Sequence, residues 1–398
     1  MLLIDPPNSA GHGRLWSHLA SDTSYDELHA FAATLGIPRR GFDRDHYDIP
    51  AERYEEVVAS GAVPVASREL IVVLTRAGLR RRKSQTLAPR RPGRPLLRAP
   101  RLRVGDRVAV VAPAGPVLPE RLEAGLSVLR SWGLDVVLGE HVVGGDRRWE
   151  YLAAEDAARA GDLMRAWCDP DVSALVCARG GYGVHRMVDL LDWPALAKAG
   201  PKVLVGFSDV TALHQAFAAH LGMSTVHGPV VTSLGAGDDE SRERLRSLLL
   251  DPVPGLSLTP TAARTVVGGQ ADGVLVGGNL ALVAAEAGTP NRMPAAGSIA
   301  VLEDVDEPAY RLDRLLTQLL RSGWFDQVHG IVLGDFTGGL TTETLDDLAR
   351  DRLGALGVPV VAGAAFGHAA RNLAFPLGVR AHLDADAGSV VVTDRPLR

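Results

Sequence analysis

Residues 104–250 alternate short apolar runs with amphipathic segments, and this alternation restricts the fold more than any other pattern in the chain. The runs at 108–112 and 203–205 are predicted to be strands, because they are rich in valine and contain no polar residue. The segments at 119–132 and 153–167 have the apolar spacing of helices. Strands that are apolar throughout are typical of a parallel sheet covered by helices on both faces. The sequence therefore predicts a doubly wound α/β domain.

The rest of the chain is predicted to form two further domains and two linkers. Residues 1–79, with a short strand at 2–4 and three helical segments, are expected to form a small α+β domain. Residues 80–103 contain ten basic residues, four prolines and no acidic residue, which predicts an extended linker that does not pack. Residues 251–272 are predicted to be a second linker, and 273–398 a β-rich α+β domain that ends in short strands.

Composition narrows the class of protein. The net charge of −5 argues against nucleic acid as the main partner. No apolar run reaches the ~18 residues that span a bilayer, and the N-terminus lacks the pattern of a secretory signal. Two cysteines do not make a disulfide framework. We therefore expect a cytoplasmic protein with no membrane partner.

Three predicted strands end in unusual residues, at 112–115, 178–183 and 206–209. Ligands of doubly wound sheets bind beyond the carboxyl ends of the strands, so these three segments are expected to face one crevice. Ser208 lies on the sharpest of these turns, directly after an apolar strand and before a helical segment. That position suits an acyl-transfer nucleophile, but it equally suits a helix N-cap, and taken alone the cap is the more common role.

A nucleophilic serine needs a base, and the base needs an orienting partner. His368, in a loop after a strand, is the best candidate for the base, and Glu303, at a strand end, is the best candidate for its partner. Each also has an ordinary interpretation, as a surface histidine and a solvated glutamate. His214 and His227 are rival bases, but His214 is expected to point away from Ser208 because it lies one and a half turns into the following helix.

The glycine-rich turn that begins at Arg179 is a candidate anion site, since its N–H groups could cradle an oxyanion or a phosphate. It lacks the lysine of a P-loop and the spacing of a dinucleotide site. The acidic run at 303–314 lacks the spacing and glycine of an EF-hand. We therefore expect no metal and no cofactor in the catalytic machinery.

Histidines and aspartates cluster near the N-terminus. This clustering could mark a metal or phosphate site, but it shows no tight ligand spacing. The cluster comprises His12, His18, His29, His46, Asp5, Asp22, Asp45 and Asp48.

The motifs together resemble those of the LD-carboxypeptidase family of serine peptidases, over residues 104–396. The segments that carry the resemblance occur in the order ARGGYG, GFSDVTALH, VGGNL, LEDVDEPAYRLDR and GH…PLG. The family includes muramoyltetrapeptide carboxypeptidases and microcin C self-immunity peptidases. The resemblance implies a flavodoxin-like domain followed by a β-rich domain, with the site between them and commonly a homodimer.

The same resemblance implies a catalytic triad of Ser208, Glu303 and His368. It also implies an oxyanion hole from N–H groups of the Gly180–Gly181 loop and of Asp209. The implied substrate is a muropeptide tetrapeptide, cut between the D-centre of meso-diaminopimelate and terminal D-Ala. A substrate carboxylate would need a cation, and Arg179 is the candidate by position, although it could equally be structural.

Two alternatives stay open from the sequence. A microcin C-type hydrolase would cut the amide of an aminoacyl nucleotide, and an aromatic residue able to stack on adenine would support it; Trp149 and Tyr151 are the candidates. A non-catalytic protein would bind muropeptides in the crevice without cutting them. Residues 1–79 resemble a small bacterial domain of unknown function, which offers no activity to carry over.

Overall fold

The computed structural model describes residues 1–11, 13–43, 45–77, 79, 93–146, 148–259, 261 and 263–398. The chain divides into two compact units, Met1–Ser84 and Gln85–Arg398, called here the N-terminal and C-terminal units. Their boundary falls inside the predicted linker 80–103. No helix among the described residues is long and apolar enough to cross a membrane.

The N-terminal unit is a sheet with helices packed against it, as the prediction of a small α+β domain requires. Its strands are β1 (Leu2–Ile4), β2 (Ser9–Gly11), β3 (Arg14–Ser21), β4 (Phe42–Asp43), β5 (His46–Pro50) and β6 (Val63–Pro64). Its helices are α1 (Tyr25–Thr34), α2 (Tyr54–Ala59) and α3 (Ser67–Arg76). The sheet order is β4-β5-β3-β1-β6, with β2 paired to β3. The sequence prediction missed every strand after β1.

The C-terminal unit contains two sheets. Its strands are β7 (Arg107–Val111), β8 (Asp135–Leu138), β9 (Val172–Cys177), β10 (Val203–Gly206), β11 (Thr225–His227), β12 (Leu256–Ser257), β13 (Arg264–Val267), β14 (Gln270–Asn279), β15 (Ser298–Val305), β16 (Gly330–Thr337), β17 (Val360–Ala362), β18 (Phe375–Leu377), β19 (Arg380–Asp384) and β20 (Ser389–Val392). Its helices are α4 (Pro119–Ser131), α5 (Asp156–Cys168), α6 (Val184–Met187), α7 (Trp193–Ala199), α8 (Thr211–Ala216), α9 (Val231–Leu234), α10 (Asp239–Leu250), α11 (Leu280–Ala285), α12 (Ala309–Arg321) and α13 (Thr342–Leu353).

The first of these sheets is the predicted doubly wound one. Its order is β18-β11-β10-β9-β7-β8, and strands β7 to β11 run parallel. Consecutive residues of β7 face opposite sides, so Val108 and Val110 enter one apolar core while Ala109 and Val111 enter another. Burial on both faces explains the uninterrupted apolar runs within β7, β9 and β10.

The second sheet has the order β12-β20-β19-β14-β15-β16-β17-β13. Its central strands β14 to β17 are parallel, and its outer strands are antiparallel. The prediction of a linker over 251–272 is wrong, because β12 and β13 lie within it and form the two edges of this sheet. Leu258, Ala263 and Val266 are buried there, and burying them offsets the entropy of ordering the segment.

The predicted linker 80–103 is also wrong in its described part. Residues 80–92 lie outside the described residues. Residues 93–103 pack against the rest of the C-terminal unit, to which they belong. Leu96, Ala99 and Leu102 are buried, and the Leu102 N–H donates to the Leu249 carbonyl at 2.8 Å. Basic side chains between these anchors stay at the surface, as with Arg101, whose guanidinium donates to a backbone carbonyl.

The helix predicted after Ser208 is segmented. A 3₁₀ turn spans Ser208–Val210, α8 follows, and a π-helical turn spans Phe217–Leu221. The two domains predicted at 104–250 and 273–398 share a sheet. Strand β18 of the second pairs antiparallel with β11 of the first, with Val226 opposite Pro376. The predicted division at 250 and 273 is therefore crossed by a strand.

Candidate active site

The turn after β10 holds Ser208 in an unusual backbone conformation. Its φ is +63°, in the left-handed region that residues with a side chain rarely occupy. A backbone held there costs about 1–3 kcal/mol, and such conformations cluster at functional sites. The Ser208 side chain meets His368 rather than capping a helix end, because its Oγ lies 3.1 Å from His368 Nε2. The sharp turn therefore presents the hydroxyl to a neighbouring imidazole.

The His368 ring lies between Ser208 and Glu303. Its Nδ1 lies 2.7 Å from Glu303 Oε2, on the opposite side of the ring from the serine. Glu303 is fully buried on β15, and His368 lies in the loop between β17 and β18. An ionised glutamate accepts the Nδ1–H, which leaves Nε2 free to accept the hydroxyl proton. The structure thus brings together all three residues selected from the sequence.

The environment of His368 favours its protonated form. Burial alone would lower its pKa, but the hydrogen bond to Glu303 and the charge of that carboxylate outweigh burial and raise the pKa above the ordinary value of 6.5. A base of raised pKa holds an abstracted proton more firmly. The arrangement can therefore remove the Ser208 proton and store it during a reaction.

Gly367 and Asp335 lie next to Glu303, the carboxylate that orients His368. Gly367 has a φ of +130°, and a β-carbon there would lie 3.1 Å from Glu303 Oε2 and 3.1 Å from Asp335 Cβ. Burial raises the pKa of Asp335 to about 6, while a hydrogen bond from the Ala369 backbone opposes the rise. The sequence prediction missed Asp335; its position at the end of β16, next to the end of β15, was the available signal.

The glycine-rich turn at 179–183, called here the glycine loop, lies directly against Ser208. A β-carbon at Gly180 would be 2.8 Å from Ser208 Cβ, so this close approach requires glycine. The Gly115 N–H donates to the Gly180 carbonyl at 3.1 Å. Gly181 follows with a φ of +109°. The three strand ends that were expected to face one crevice are therefore in contact.

Asp209 supports the same loop through its side chain. Its buried carboxylate accepts a hydrogen bond from the Val184 N–H at 2.8 Å, at the start of α6. Burial raises the pKa of Asp209 to about 6, although the Val184 N–H, His185 and Arg159 oppose the rise. The sequence prediction used only the N–H of Asp209 and did not foresee this contact.

A buried arginine also fixes these loops. Arg159, on α5, is 1% exposed and donates to the carbonyls of Ala154 and Gly183, each at 2.9 Å, and to that of Pro113. It also pairs with Asp156. The sequence analysis missed Arg159, although an arginine on the apolar side of a predicted helix was a visible signal.

Arg179 lies on the surface beside this loop. Its guanidinium donates to the Pro116 carbonyl at 2.7 Å, and its side chain is exposed. This contact supports the structural interpretation of Arg179, and the exposed side chain still leaves it reachable by an anionic ligand.

Three exposed aromatic residues form a cluster next to the glycine loop. The Trp149 and Tyr151 ring centroids are 5.7 Å apart, as are those of Tyr151 and Tyr182. Tyr182 belongs to the loop itself, between Gly181 and Gly183. The sequence could not place Trp149 and Tyr151; the structure places this aromatic cluster beside the residues that contact Ser208.

The rival histidines do not contact Ser208. His214 is buried, and its Nε2 lies 2.9 Å from the Gly206 carbonyl. Burial lowers the pKa of His214 to about 4, so the neutral ring donates to that carbonyl. The His214 ring is therefore held by the backbone of β10. His227 stacks on Phe375, with centroids 4.8 Å apart, and burial holds its pKa well below 6.5.

Comparison with known proteins identifies the family of the C-terminal unit. Residues 108–228 match the LD-carboxypeptidase N-terminal domain and residues 272–383 the LD-carboxypeptidase C-terminal domain. A Streptomyces coelicolor protein provisionally named as a carboxypeptidase is 53% identical over 305 residues, which cover 76% of this chain and 98% of that protein. The murein tetrapeptide carboxypeptidase of Pseudomonas aeruginosa is 40% identical over 294 residues, covering 71% of this chain and 94% of that protein.

Solved structures of similar fold include a carboxypeptidase and a self-immunity protein. The muramoyltetrapeptide carboxypeptidase of Oxalobacter formigenes aligns with a TM-score of 0.64 and 32% identity, covering 73% of this chain and 99% of that one. The microcin C7 self-immunity protein shares the fold, with a TM-score of 0.68 and 23% identity over 76% of this chain and 100% of that one. The chain belongs to the LD-carboxypeptidase family of peptidases. Residues 2–77 match a protein family of unknown function, DUF4031.

Proposed function

We propose that the protein is a serine-type LD-carboxypeptidase that removes terminal D-Ala from muropeptide tetrapeptides. One observation carries the proposal. Ser208 Oγ, on a turn of positive φ, lies 3.1 Å from His368 Nε2, and His368 Nδ1 lies 2.7 Å from the buried Glu303. This is the arrangement by which a weak hydroxyl nucleophile is activated.

In the first half-reaction, Ser208 Oγ attacks the carbonyl carbon between meso-diaminopimelate and D-Ala while its proton passes to His368 Nε2. The carbonyl oxygen becomes an oxyanion, and the N–H groups of Gly180, Gly181 and Asp209 are the donors proposed to stabilise it. Collapse of this intermediate breaks the C–N bond, and His368 returns the proton to the leaving D-Ala amine. Glu303 stabilises the imidazolium throughout.

In the second half-reaction, water replaces the leaving amine. His368 takes a proton from the water, whose oxygen attacks the acyl-enzyme carbonyl. The ester bond to Ser208 then breaks, and the proton goes to Ser208 Oγ. The free D-Ala carboxylate of the substrate lies next to the scissile bond, and Arg179 is the cation available to bind it.

The proposed setting is peptidoglycan recycling in the cytoplasm by a homodimer. The relatives named murein tetrapeptide and muramoyltetrapeptide carboxypeptidase support the substrate class. Light scattering on the purified protein tests the dimer directly, since a monomeric mass at working concentration would contradict it.

The test of the activity is incubation of the whole protein with disaccharide tetrapeptide, followed by mass spectrometry of released D-Ala. We expect release by the wild type and a fall of at least about 10⁴-fold in Ser208→Ala. Ser233→Ala, a change of the same kind on α9, is the matched control and should retain activity. No release from any of several muropeptides would refute the substrate. Activity that survives in Ser208→Ala would refute the mechanism.

The aromatic cluster supports a second candidate, hydrolysis of the amide in an aminoacyl nucleotide. Trp149, Tyr151 and Tyr182 offer exposed ring faces beside the glycine loop, where a nucleobase could stack. Under this alternative, Trp149→Ala lowers kcat/KM for an aminoacyl nucleotide and leaves muropeptide cleavage unchanged. A protein that binds muropeptides with equal affinity in wild type and Ser208→Ala, but cuts none, would instead be a sensor.

A further inference from the structure

Three neighbouring strands of the N-terminal unit bring polar side chains to one face of its sheet. His18 on β3 lies opposite Asp48 on β5, and the Asp5 N–H, just beyond β1, donates to the His18 carbonyl at 3.2 Å. His46 precedes Asp48 by two positions on the same strand, so both side chains point to the same face. The register therefore places two imidazoles and a carboxylate side by side.

Each of the two imidazoles is oriented by a buried carboxylate. His18 Nδ1 lies 3.0 Å from Asp5 Oδ2, and His46 Nδ1 lies 2.6 Å from Asp45 Oδ1. Asp5 and Asp45 are each 1% exposed. A buried carboxylate that takes the Nδ1–H leaves the lone pair on Nε2, the atom on the far side of the ring. This is the outer-sphere arrangement that metal-binding histidines have in most sites.

The atoms left facing one another have the composition of a metal site. His46 Nε2 lies 3.3 Å from Asp48 Oδ1, the rings of His18 and His46 meet edge to face with centroids 4.8 Å apart, and one ligand atom from each of the three residues falls within 4.8 Å of the others. A tetrahedral ion that holds ligands at about 2.1 Å separates them by about 3.4 Å. The His46–Asp48 pair already has this separation. The His18 side chain is 28% exposed, and Ser9 Oγ lies 3.5 Å from its Nε2, so a small polar group borders this nitrogen.

The cluster also has an open side. The Asp48 side chain is 45% exposed, so three protein ligands leave coordination positions that face solvent. Two histidines and one carboxylate with open positions form a ligand set that binds Zn²⁺ in hydrolytic sites and Fe²⁺ in oxygenases.

A second group of possible metal ligands in the described part of the chain is a weaker candidate for a metal site. Glu140, His141 and Asp162 of the C-terminal unit also lie close together, but Arg165 already pairs with both Glu140 and Asp162. A guanidinium that already pairs with both carboxylates competes with a metal ion for them. The described contacts of His18, His46 and Asp48 include no arginine or lysine.

We propose that the N-terminal unit binds one divalent first-row transition metal ion through His18 Nε2, His46 Nε2 and the Asp48 carboxylate, with Asp5 and Asp45 as the residues that orient the two imidazoles. This ion takes no part in the peptidase mechanism proposed above. Of the two ligands that the sequence left open for the N-terminal cluster, the proposal favours a metal over phosphate. Of the other clustered residues, His12 lies outside the described residues, and His29 binds Tyr47 instead, with Nδ1 2.8 Å from the phenol oxygen.

The test uses the whole protein, stripped with EDTA and titrated with Co²⁺, whose visible absorption reports nitrogen and oxygen ligation. Elemental analysis after loading with Zn²⁺ or Mn²⁺ gives the stoichiometry. We expect one ion per chain, and a loss of at least about 100-fold in affinity for His18→Ala, His46→Ala and Asp48→Ala. Asp5→Asn, which keeps the shape but not the charge, should weaken binding by about 10–100-fold.

Two controls separate ligation from folding. His29→Ala removes a histidine of the same unit, and His141→Ala removes one from the second group; both should bind as the wild type does. Asp48 is exposed, so Asp48→Ala should keep the circular dichroism spectrum of the wild type while losing the cobalt bands. A stoichiometry well below one, or unchanged affinity in a folded Asp48→Ala, overturns the proposal. So does binding of inorganic phosphate with no binding of Co²⁺, Zn²⁺ or Mn²⁺. Muropeptide cleavage enters none of these readouts.

Discussion

The backbone N–H of Asn279 donates to Thr211 Oγ1 at 3.0 Å, and this bond ties the helix after Ser208 to the strand next to Glu303. Asn279 also donates from its side chain to Asp304, at 2.9 Å. Since Asp304 follows Glu303 directly, a short chain of hydrogen bonds runs between the nucleophile's helix and the acid's strand. The relative position of Ser208 and Glu303 therefore depends on Thr211, Asn279 and Asp304 as well as on the triad itself.

Thr211→Val tests this bond, because valine keeps the shape of threonine and removes the acceptor. The buried Asn279 N–H would lose its partner, and we expect the free energy of unfolding to fall by about 1–3 kcal/mol. Urea denaturation measures the change. Thr317→Val on α12 is the control, and it should shift the midpoint much less. Equal losses of unfolding free energy in the two variants would show that the bond between Asn279 and Thr211 does not stabilise the fold more than an ordinary threonine contact.

Gly180→Ala is expected to impair catalysis without unfolding the protein. The new methyl group would lie 2.8 Å from Ser208 Cβ, so the loop or the serine must move. A displacement of about 1 Å at a reacting group can cost about 10²-fold in rate, and we expect a fall of that order in kcat. Gly354→Ala places a methyl group in open space and is the matched control. Full activity in Gly180→Ala would mean that the loop does not act on the serine.

The pH profile of kcat/KM should have an acidic limb set by His368. The neutral imidazole is the active base, so activity rises as pH increases through the raised pKa of His368. Glu303→Gln removes the charge that raises this pKa, so the limb should move to lower pH while the plateau falls by about 10⁴-fold. Glu307→Gln, four residues along the chain, is the control and should leave the limb in place. A limb that stays fixed in Glu303→Gln would assign it to another group.

The same pKa carries a consequence for stability. A histidine whose folded pKa is raised binds its proton more tightly in the native state. Its contribution to stability is therefore complete below the unfolded pKa and is lost as pH rises through the folded pKa.

Asp209 should make a contribution of the same sign, in a more acidic range of pH, because its folded pKa is raised as well. Its pKa rises from 3.8 to about 6 in the folded protein, so folding disfavours the ionised form. Stability is lost as pH increases from about 4 to about 6, and the shift corresponds to about 3 kcal/mol. Asp209→Asn keeps an acceptor for the Val184 N–H and should flatten this part of the curve of unfolding free energy against pH. Asp189→Asn, at an exposed position, should leave the slope as in the wild type; an unchanged slope in Asp209→Asn would contradict the argument.

The sequence predicted the elements whose pattern is local. Strands β7, β9 and β10 were recognisable because both of their faces are buried along most of their length, which leaves an uninterrupted apolar run in each. Ser208, Glu303 and His368 were recognisable because each follows or ends such a strand. The structure brings these three side chains within hydrogen-bonding distance, which no spacing along the chain could establish.

The missed features depend on pairing rather than on pattern. Arg159 contacts mainly backbone carbonyls, which every residue has. Its position on the apolar side of a helix could be seen in the sequence, but the partners that it binds could not be predicted from residue types. His18 and His46 become neighbours only through the register of β3 and β5, and neither strand was predicted. Leu96 and Leu102 were read as parts of a linker because the charges around them dominated the composition.

Strand β18 has a consequence for how this protein is made. Residues Phe375–Leu377 complete the sheet that carries Ser208, although the whole of the second sheet's parallel part lies between them and β11 in the chain. While the ribosome is still adding residues before 375, the edge of β11 has no partner and His368 is followed by no anchored strand. The nascent chain therefore cannot complete the sheet that carries Ser208 until residues 375–377 have been synthesised, and deletion of β18 would remove the last strand from the nucleophile's own sheet.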